Sequence, residues 1–160
     1  MRAVVVIGYQ NDYVSGPRAV GYAKMIEGNI CNRIESTLRS GGDLFILMDS
    51  YNGDQNDGLC IKGTWGAELA GRLNDYESKG HIIQKQKYGS EELVNALLHY
   101  NEVEICGLDT NKDILVNAVL LHNAYPKMEI TVKKNCIASR DSALAEETAD
   151  VLTGIGVIVK

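Results

Sequence analysis

The sequence has no excess of positive charge, no long hydrophobic run and no paired cysteine motif. Its 160 residues carry 16 Lys and Arg against 21 Asp and Glu, and this net charge of -5 argues against a nucleic-acid-binding surface. No apolar run approaches the roughly 18 residues that a membrane-spanning helix needs. The apolar segment 3–7 is too short for a signal peptide and ends in polar residues. These absences predict a cytoplasmic protein with no nucleic-acid or membrane partner.

Residues that commonly bind metals or form disulfides are scattered along the chain. No C-x-x-C pair occurs, which excludes a zinc ribbon and a thioredoxin motif. A cytoplasmic domain of this size does not need disulfides, so we expect buried free thiols at Cys31, Cys60, Cys106 and Cys136. The histidines lie in different predicted elements and are expected to be solvated: His81, His99 and His122. We therefore predict no metal and no cofactor.

Apolar segments that suit β-strands alternate with segments of helical period. The predicted strands are Ala3–Ile7, Asp43–Met48, Ile82–Lys85, Val103–Cys106, Ile130–Val132 and Val157–Val159. The predicted helices are Gly21–Arg39, a short one near Glu68–Leu73, Ser90–Tyr100, Asn111–Asn123 and Asp141–Leu152. Short strands that are apolar on both faces and alternate with helices indicate a parallel sheet between two helical layers. We predict one doubly wound α/β domain over residues 1–160, with the polar, glycine-rich segment 49–65 as a functional loop.

Four segments in a fixed order resemble one known family. The first strand leads into Gly8-Tyr9-Gln10-Asn11-Asp12-Tyr13, and the fourth into Gly107-Leu108-Asp109-Thr110-Asn111-Lys112-Asp113. Between them lie the loop Cys60–Leu69 and the segment around Lys85. Together they resemble the isochorismatase-like cysteine hydrolases, which include the nicotinamidases. The resemblance covers nearly the whole chain and implies a six-stranded, mostly parallel sheet in the order 3-2-1-4-5-6. It also implies a cis peptide bond between Leu108 and Asp109.

The resemblance implies a catalytic triad of Asp, Lys and Cys, of which this chain keeps only the Lys. Gly8 stands at the Asp position, Lys85 matches the Lys, and Asp113 stands at the Cys position. Glycine offers no base, and a carboxylate is a weaker nucleophile than a thiolate. The triad is therefore degenerate, with no catalytic set intact. Asp113 has two compatible interpretations, as an acid stabilised by a helix N-terminus and as a ligand contact.

Two further family features can be checked against the residues. In nicotinamidase-like members a metal is held beside the pocket by one Asp and several His. Asp49 matches that Asp, but Tyr51 and Leu59 stand at His positions. A thiol elsewhere could replace the missing nucleophile. Cys60 is the candidate, because it lies in the pocket-lining loop, whereas Cys106 is expected in the core.

A pocket with polar, aromatic and cationic groups is left once the triad is discounted. Its predicted ligand-binding residues are Tyr9, Gln10, Tyr13, Asp49, Tyr51, Trp65, Lys85, Tyr88, Leu108, Asp109 and Asp113. Lys85 should favour an anion, and the aromatic rings should stack on a planar group. The expected partner is a small anionic or aromatic molecule, such as a nicotinamide- or nucleotide-derived signalling molecule. The resemblance also implies a homo-oligomer, a dimer or larger.

Three functions are open on the sequence alone. The first is a catalytically silent domain that binds or sequesters a small metabolite. The second is a noncanonical hydrolase that uses Asp113 and Lys85, because some family members cleave an enol ether by acid catalysis without the thiol. The third is a structural subunit of a hetero-oligomer with an active homologue. In each case a buried Lys85 ammonium needs a partner, so we expect it to contact Asp113 or a bound anion.

Overall fold

The computed structural model describes residues 1–160 and contains one six-stranded sheet in which all neighbouring strands are parallel. The strand order β3-β2-β1-β4-β5-β6 confirms the predicted order. The strands are β1 (Arg2–Ile7), β2 (Asp43–Asp49), β3 (His81–Lys85), β4 (Glu102–Leu108), β5 (Glu129–Ala138) and β6 (Ile158–Val159). All six predicted strands are present, and β5 extends well beyond its predicted end.

Five α-helices and several tighter turns connect the strands. The α-helices are α1 (Asn11–Val14), α2 (Ala23–Arg39), α3 (Glu91–Ala96), α4 (Leu115–Ala124) and α5 (Ser142–Gly154). The 3-10 segments are Asn56–Gly58, Trp65–Ala67 and Gly71–Lys79, and a π-helical turn at Thr110–Ile114 leads into α4. None of the helices combines the length and the apolar character that crossing a membrane requires.

The structure corrects the predicted helices at three places. The segment near Glu68–Leu73 is not an α-helix, because Gly71 has a φ of +52°, and a 3-10 segment begins there instead. The helix predicted to begin at Ser90 is α-helical only over α3, where the Ser90 hydroxyl accepts a hydrogen bond from the Leu93 N–H at 3.1 Å. The single turn of α1 was not predicted, because four residues show no helical period.

The central strand β1 is buried on both faces, which explains its continuous apolar sequence. Val4 and Val6 pack into the layer that contains Ile30 and Ile34 of α2. The alternate residues Ala3, Val5 and Ile7 face the opposite layer, which contains Leu121 of α4. The sheet is therefore covered on both sides, as predicted.

The strand order determines where a pocket can form. β1 pairs with β2 on one side and with β4 on the other, so the chain reverses its direction of travel across the sheet between β1 and β4. Ligand sites of open α/β sheets lie at the carboxyl ends of the strands at such a point. Gly8 follows β1, and the segment 109–113 follows β4. Gly8 and Asp113 line the same cavity there, as predicted.

Candidate functional site

A cavity of about 240 Å³ lies at the carboxyl ends of the central strands. The connections that follow β1, β2, β3, β4 and β5 all contribute to its wall. Its lining residues are Gly8, Tyr13, Arg18, Val20, Asp49, Tyr51, Asn56, Asp57, Leu59, Lys87, Tyr88, Leu108, Asp109, Lys112, Asp113 and Arg140. Cysteine, serine and threonine are absent from this set, so the wall offers neither a thiol nor an aliphatic hydroxyl as a nucleophile.

Lys85 forms the centre of a buried ion network beneath the cavity. Its Nζ donates to Oδ1 of Asp49 and to Oδ1 of Asp113, each at 2.5 Å, and to the Lys87 carbonyl at 2.8 Å. The predicted contact between Lys85 and Asp113 is thus confirmed, but Asp49 is a second partner that was not predicted. Asp49 and Lys85 stand opposite each other in the register of β2 and β3, which brings their side chains together.

Two carboxylates share the one ammonium, and the pKa values of Lys85 and Asp113 reflect this imbalance. Burial opposes the charge on Lys85, but attraction by Asp113 and Asp49 outweighs it and raises the Lys85 pKa. Burial raises the pKa of Asp113 to about 6, with opposition from Lys85 and reinforcement from Asp49. For Lys85, the attraction to the two carboxylates exceeds the cost of burying its charge. For Asp113, the attraction to Lys85 is smaller than the cost of burial, because Asp49 competes for the same cation. Lys85 therefore has no uncompensated charge with which to hold an anionic ligand.

Asp49 is fixed at the end of β2 by two side chains of the first loop. Its Oδ2 accepts a hydrogen bond from the Tyr13 hydroxyl at 2.6 Å. Burial and the neighbouring Asp49 charge raise the Tyr13 pKa, so this hydroxyl stays protonated. The Gln10 amide bonds both the N–H and the C=O of Asp49, each at 2.8 Å. This arrangement holds the Asp49 carboxylate against Lys85.

Gly8 adopts a backbone conformation that disfavours the Asp that the family resemblance implies at this position. Its φ is +64°, and a Cβ atom added there would lie 2.9 Å from the Leu108 carbonyl oxygen. An L-residue at position 8 would therefore require a shift of the backbone. The peptide bond between Leu108 and Asp109 is cis, as predicted.

The structure brings most of the predicted ligand-binding residues to the cavity. Eight of the predicted positions, counting the degenerate triad, lie in its wall: Gly8, Tyr13, Asp49, Tyr51, Tyr88, Leu108, Asp109 and Asp113. Their role in binding a ligand stays a prediction.

Three of the predicted ligand-binding residues do not line the cavity. Lys85 does not line it either, because it is buried behind Asp49 and Asp113. Tyr9 is fully buried in the core, where its hydroxyl donates to the Ala23 carbonyl at 2.7 Å. Gln10 is also fully buried, and its amide is occupied by Asp49 and by the Ala67 carbonyl. Trp65 is 57% exposed and lies outside the cavity wall. The polar and aromatic character of these side chains suggested a site, but the alternation of side chains after β1 directs Tyr9 away from it.

Two exposed arginines, Arg18 and Arg140, line the solvent-facing mouth of the cavity, and the sequence analysis did not identify them. Arg18 lies between α1 and α2, and Arg140 lies between β5 and α5. The Arg140 Nη2 donates to the Arg18 carbonyl at 2.6 Å, so these distant segments meet at the mouth. The rule that strand ends converge at one edge of a parallel sheet could have suggested Arg140, because it follows β5 directly. Lys87 and Lys112 also line the cavity.

The candidate replacement thiol does not reach the cavity. Cys60 is fully buried, its backbone N–H donates to Asp12 Oδ2 at 2.8 Å, and burial raises the pKa of its thiol to about 12. A protonated thiol buried in this way is not a nucleophile. All four cysteines are free and buried, as predicted.

The residues at the family's metal position do not fit a metal. Both Asp49 oxygens are occupied, by Lys85 and by Tyr13. The Tyr51 hydroxyl accepts from the Lys87 N–H at 2.8 Å, and Leu59 has no ligating atom. Nowhere in the structure do three His, Cys, Asp or Glu side chains meet in a group that could hold a metal ion.

Solved structures with the same architecture include nicotinamidases and another amidase. Nicotinamidase PncA from Bacillus subtilis has a TM-score of 0.87 and 25% sequence identity, covering 99% of this chain and 98% of that chain. Nicotinamidase SaPncA from Staphylococcus aureus has a TM-score of 0.84 and 26% identity, with the same coverage. N-carbamoylsarcosine amidase from Thermoplasma acidophilum, at 22% identity and a TM-score of 0.81, covers 99% of this chain and 95% of that chain and shares the fold.

A family comparison agrees with the fold. Among curated protein sequences the chain has no match. The model of the isochorismatase domain family, however, matches residues 2–159, which is nearly the whole chain. With its parallel sheet in the order 3-2-1-4-5-6, the chain belongs to the isochorismatase family.

Proposed function

We propose that this protein binds a small metabolite in the cavity between β1 and β4 and does not carry out the cysteine-dependent hydrolysis of its relatives. The observation that carries the proposal is the state of the nucleophile position. Asp113 stands there with its carboxylate bound to Lys85, and Gly8 leaves the base position without a side chain. The cavity wall contains no thiol or aliphatic hydroxyl that could act instead.

The ligand is a nicotinamide- or nucleotide-derived molecule, and sequestration of such a molecule is the biological role. A cavity of about 240 Å³ accommodates a compound of this size. Three tyrosines in the wall, Tyr13, Tyr51 and Tyr88, offer aromatic surface to a planar ring. The nicotinamidases among the similar structures favour the nicotinamide class. The protein acts in the cytoplasm as a homo-oligomer in this proposal.

A second candidate is acid-catalysed cleavage by Asp113. Its specific support is the pKa of about 6, which leaves a fraction of the Asp113 carboxyl groups protonated near neutral pH. Gly8 argues against this function, because the chain has no second acid at the end of β1. Turnover that rises as the pH falls through 6, and that is abolished by Asp113→Asn, would favour this candidate.

Calorimetric titration with nicotinamide, nicotinamide mononucleotide and adenine nucleotides tests the proposal. Leu59→Trp fills the cavity wall, whereas Leu98→Trp enlarges a residue that is 58% exposed and lies outside the wall. We expect binding that Leu59→Trp weakens at least tenfold and Leu98→Trp leaves unchanged. Equal binding by all three proteins would place the ligand outside the cavity. Co-purification with an active homologue and no binding would favour the structural-subunit function.

A further inference from the structure

The cavity has an acidic inner end and a basic mouth. Asp49 and Asp113 lie at the inner end, where both contact the buried Lys85. The exposed residues of the wall include Arg18, Lys87 and Arg140 against one carboxylate, Asp57, so the mouth has a net positive charge. A ligand in this cavity therefore binds best with its hydrogen-bond donors towards the acidic inner end and its negative charge towards the basic mouth. The inference that follows rests on the proposed binding function and specifies its ligand.

Asp109 carries the strongest evidence for a donor group at the inner end. Its Oδ1 is buried and has no hydrogen-bond partner in the protein, although the residue lines the cavity. Buried polar atoms in folded proteins are almost always paired, because an unpaired one loses its hydration without compensation. Asp113 places a second carboxylate in the same wall. Two neighbouring carboxylates accept hydrogen bonds from an N–H group and repel a carboxylate of the ligand.

The two mouth arginines supply the opposite chemistry. Arg140 is held against the backbone of Arg18 by the bond between its Nη2 and the Arg18 carbonyl. Arg18 forms an exposed ion pair with Asp57, whose carboxylate lies 3.6 Å from its Nη2, and such a solvated pair is weak. Guanidinium groups bind phosphate through paired N–H donors. Neither arginine belongs to the Lys85 network, and both are exposed, so their remaining N–H donors can contact an anion.

We propose that the ligand is a mononucleotide-type compound whose amino or carboxamide group donates to Asp109 and whose phosphate binds Arg18 and Arg140. Asp109 is then the residue that determines specificity, since it distinguishes a carboxamide from a carboxylate on the same ring. The binding reaction is reversible and breaks no covalent bond.

Nicotinamide mononucleotide and nicotinate mononucleotide are the matched probes, because they differ only in this group. The wild-type protein should bind nicotinamide mononucleotide at least tenfold more tightly than nicotinate mononucleotide by calorimetry. Asp109→Asn replaces an acceptor with a donor and should reverse or abolish this preference. Asp109→Ala should reduce the preference to less than threefold without lowering the melting temperature of the free protein, since no bond of Oδ1 is lost. Asp150→Asn, on the exposed face of α5, is the charge-matched control and should preserve the preference.

The phosphate is tested with nicotinamide riboside, which lacks it. Arg140→Gln should weaken the binding of nicotinamide mononucleotide about tenfold and leave the affinity for nicotinamide riboside unchanged. The control Arg39→Gln, at an exposed position, should change neither affinity. Equal affinity of the wild-type protein for the two mononucleotides would overturn the role of Asp109 while leaving the binding function intact. Equal losses for nucleotide and nucleoside in Arg140→Gln would overturn the phosphate assignment. Failure of every nicotinamide and adenine compound to bind would contradict the proposed function as well.

Discussion

The Lys85 ammonium lies 2.5 Å from the carboxylate of Asp113, the residue that the family resemblance places at the nucleophile position. Asp49 completes the network from the other side of the ammonium at the same distance. The cavity therefore has a closed, buried ion network at the place where the family resemblance implies a thiol and a base. The inner end of the cavity has a net negative charge, because two carboxylates share one cation. A ligand anion is not needed to neutralise Lys85, because Asp113 is the partner in the first of the two arrangements that the sequence analysis left open.

Lys85→Met should destabilise the protein strongly. The substitution leaves the Asp49 and Asp113 carboxylates buried beside each other without their cation, and breaking a buried ion pair in this way costs about 3–5 kcal/mol. The loss should be smaller at pH 5 than at pH 7.5, because protonation relieves the repulsion. Urea unfolding at the two pH values measures both effects. The triple variant Lys85→Met, Asp49→Asn, Asp113→Asn should recover most of the stability; wild-type stability in Lys85→Met alone would show that the network is not structural.

Asp113→Asn should change how stability depends on pH. The pKa of Asp113 rises from 3.8 to about 6 on folding, so the native protein binds the proton more tightly than the unfolded chain. Its contribution to stability is therefore present at acidic pH and lost as the pH rises from about 4 to 6. A shift of this size amounts to roughly 3 kcal/mol. Asp113→Asn lacks this loss, so its stability relative to wild type should increase between pH 4 and pH 7. Parallel unfolding free energies across this range would contradict the raised pKa, and Asp150→Asn is the control.

Gly8→Ala should destabilise the protein, whereas Gly28→Ala should stabilise it. The left-handed φ of Gly8 costs an L-residue about 1–2 kcal/mol, and its Cβ would also press on the Leu108 carbonyl. Gly28 lies within α2 with open space around it, where alanine is preferred by about 1 kcal/mol. Thermal unfolding of the two variants measures the opposite signs. A stabilised Gly8→Ala protein would mean that position 8 can accept the family's side chain without a backbone change.

The sequence predicts the fold well because the relevant signals are local and repeated. Most strands contain a short apolar run, and the motifs after β1 and β4 identify the two neighbouring loops of the cavity. The strand order was predicted from the family resemblance. The contact between Lys85 and Asp113 also follows from the need to pair a buried charge. Asp49 as a second partner depends on the register of β2 against β3, which strand boundaries alone do not determine.

Other parts of the site depend on contacts between distant segments. Arg18 and Arg140 meet at the mouth although 122 positions separate them, and neither lies in a motif. Tyr9 and Gln10 lie in a motif and were assigned to the pocket, but both side chains support the fold. The mistake has a physical cause, since a motif beside a site contains residues that position the loop as well as residues that face the cavity.

One measurement tests most directly whether the cavity binds without turnover. Ligand-detected NMR of nicotinamide and nicotinamide mononucleotide with the protein records contact with the ring protons and any chemical change in the same sample. The account predicts saturation transfer to the ring protons of nicotinamide mononucleotide, weakened by Leu59→Trp, with both compounds unchanged over hours. Conversion of either compound at an ordinary enzymatic rate, about 1 per second or faster, would contradict it, as would the absence of saturation transfer to both.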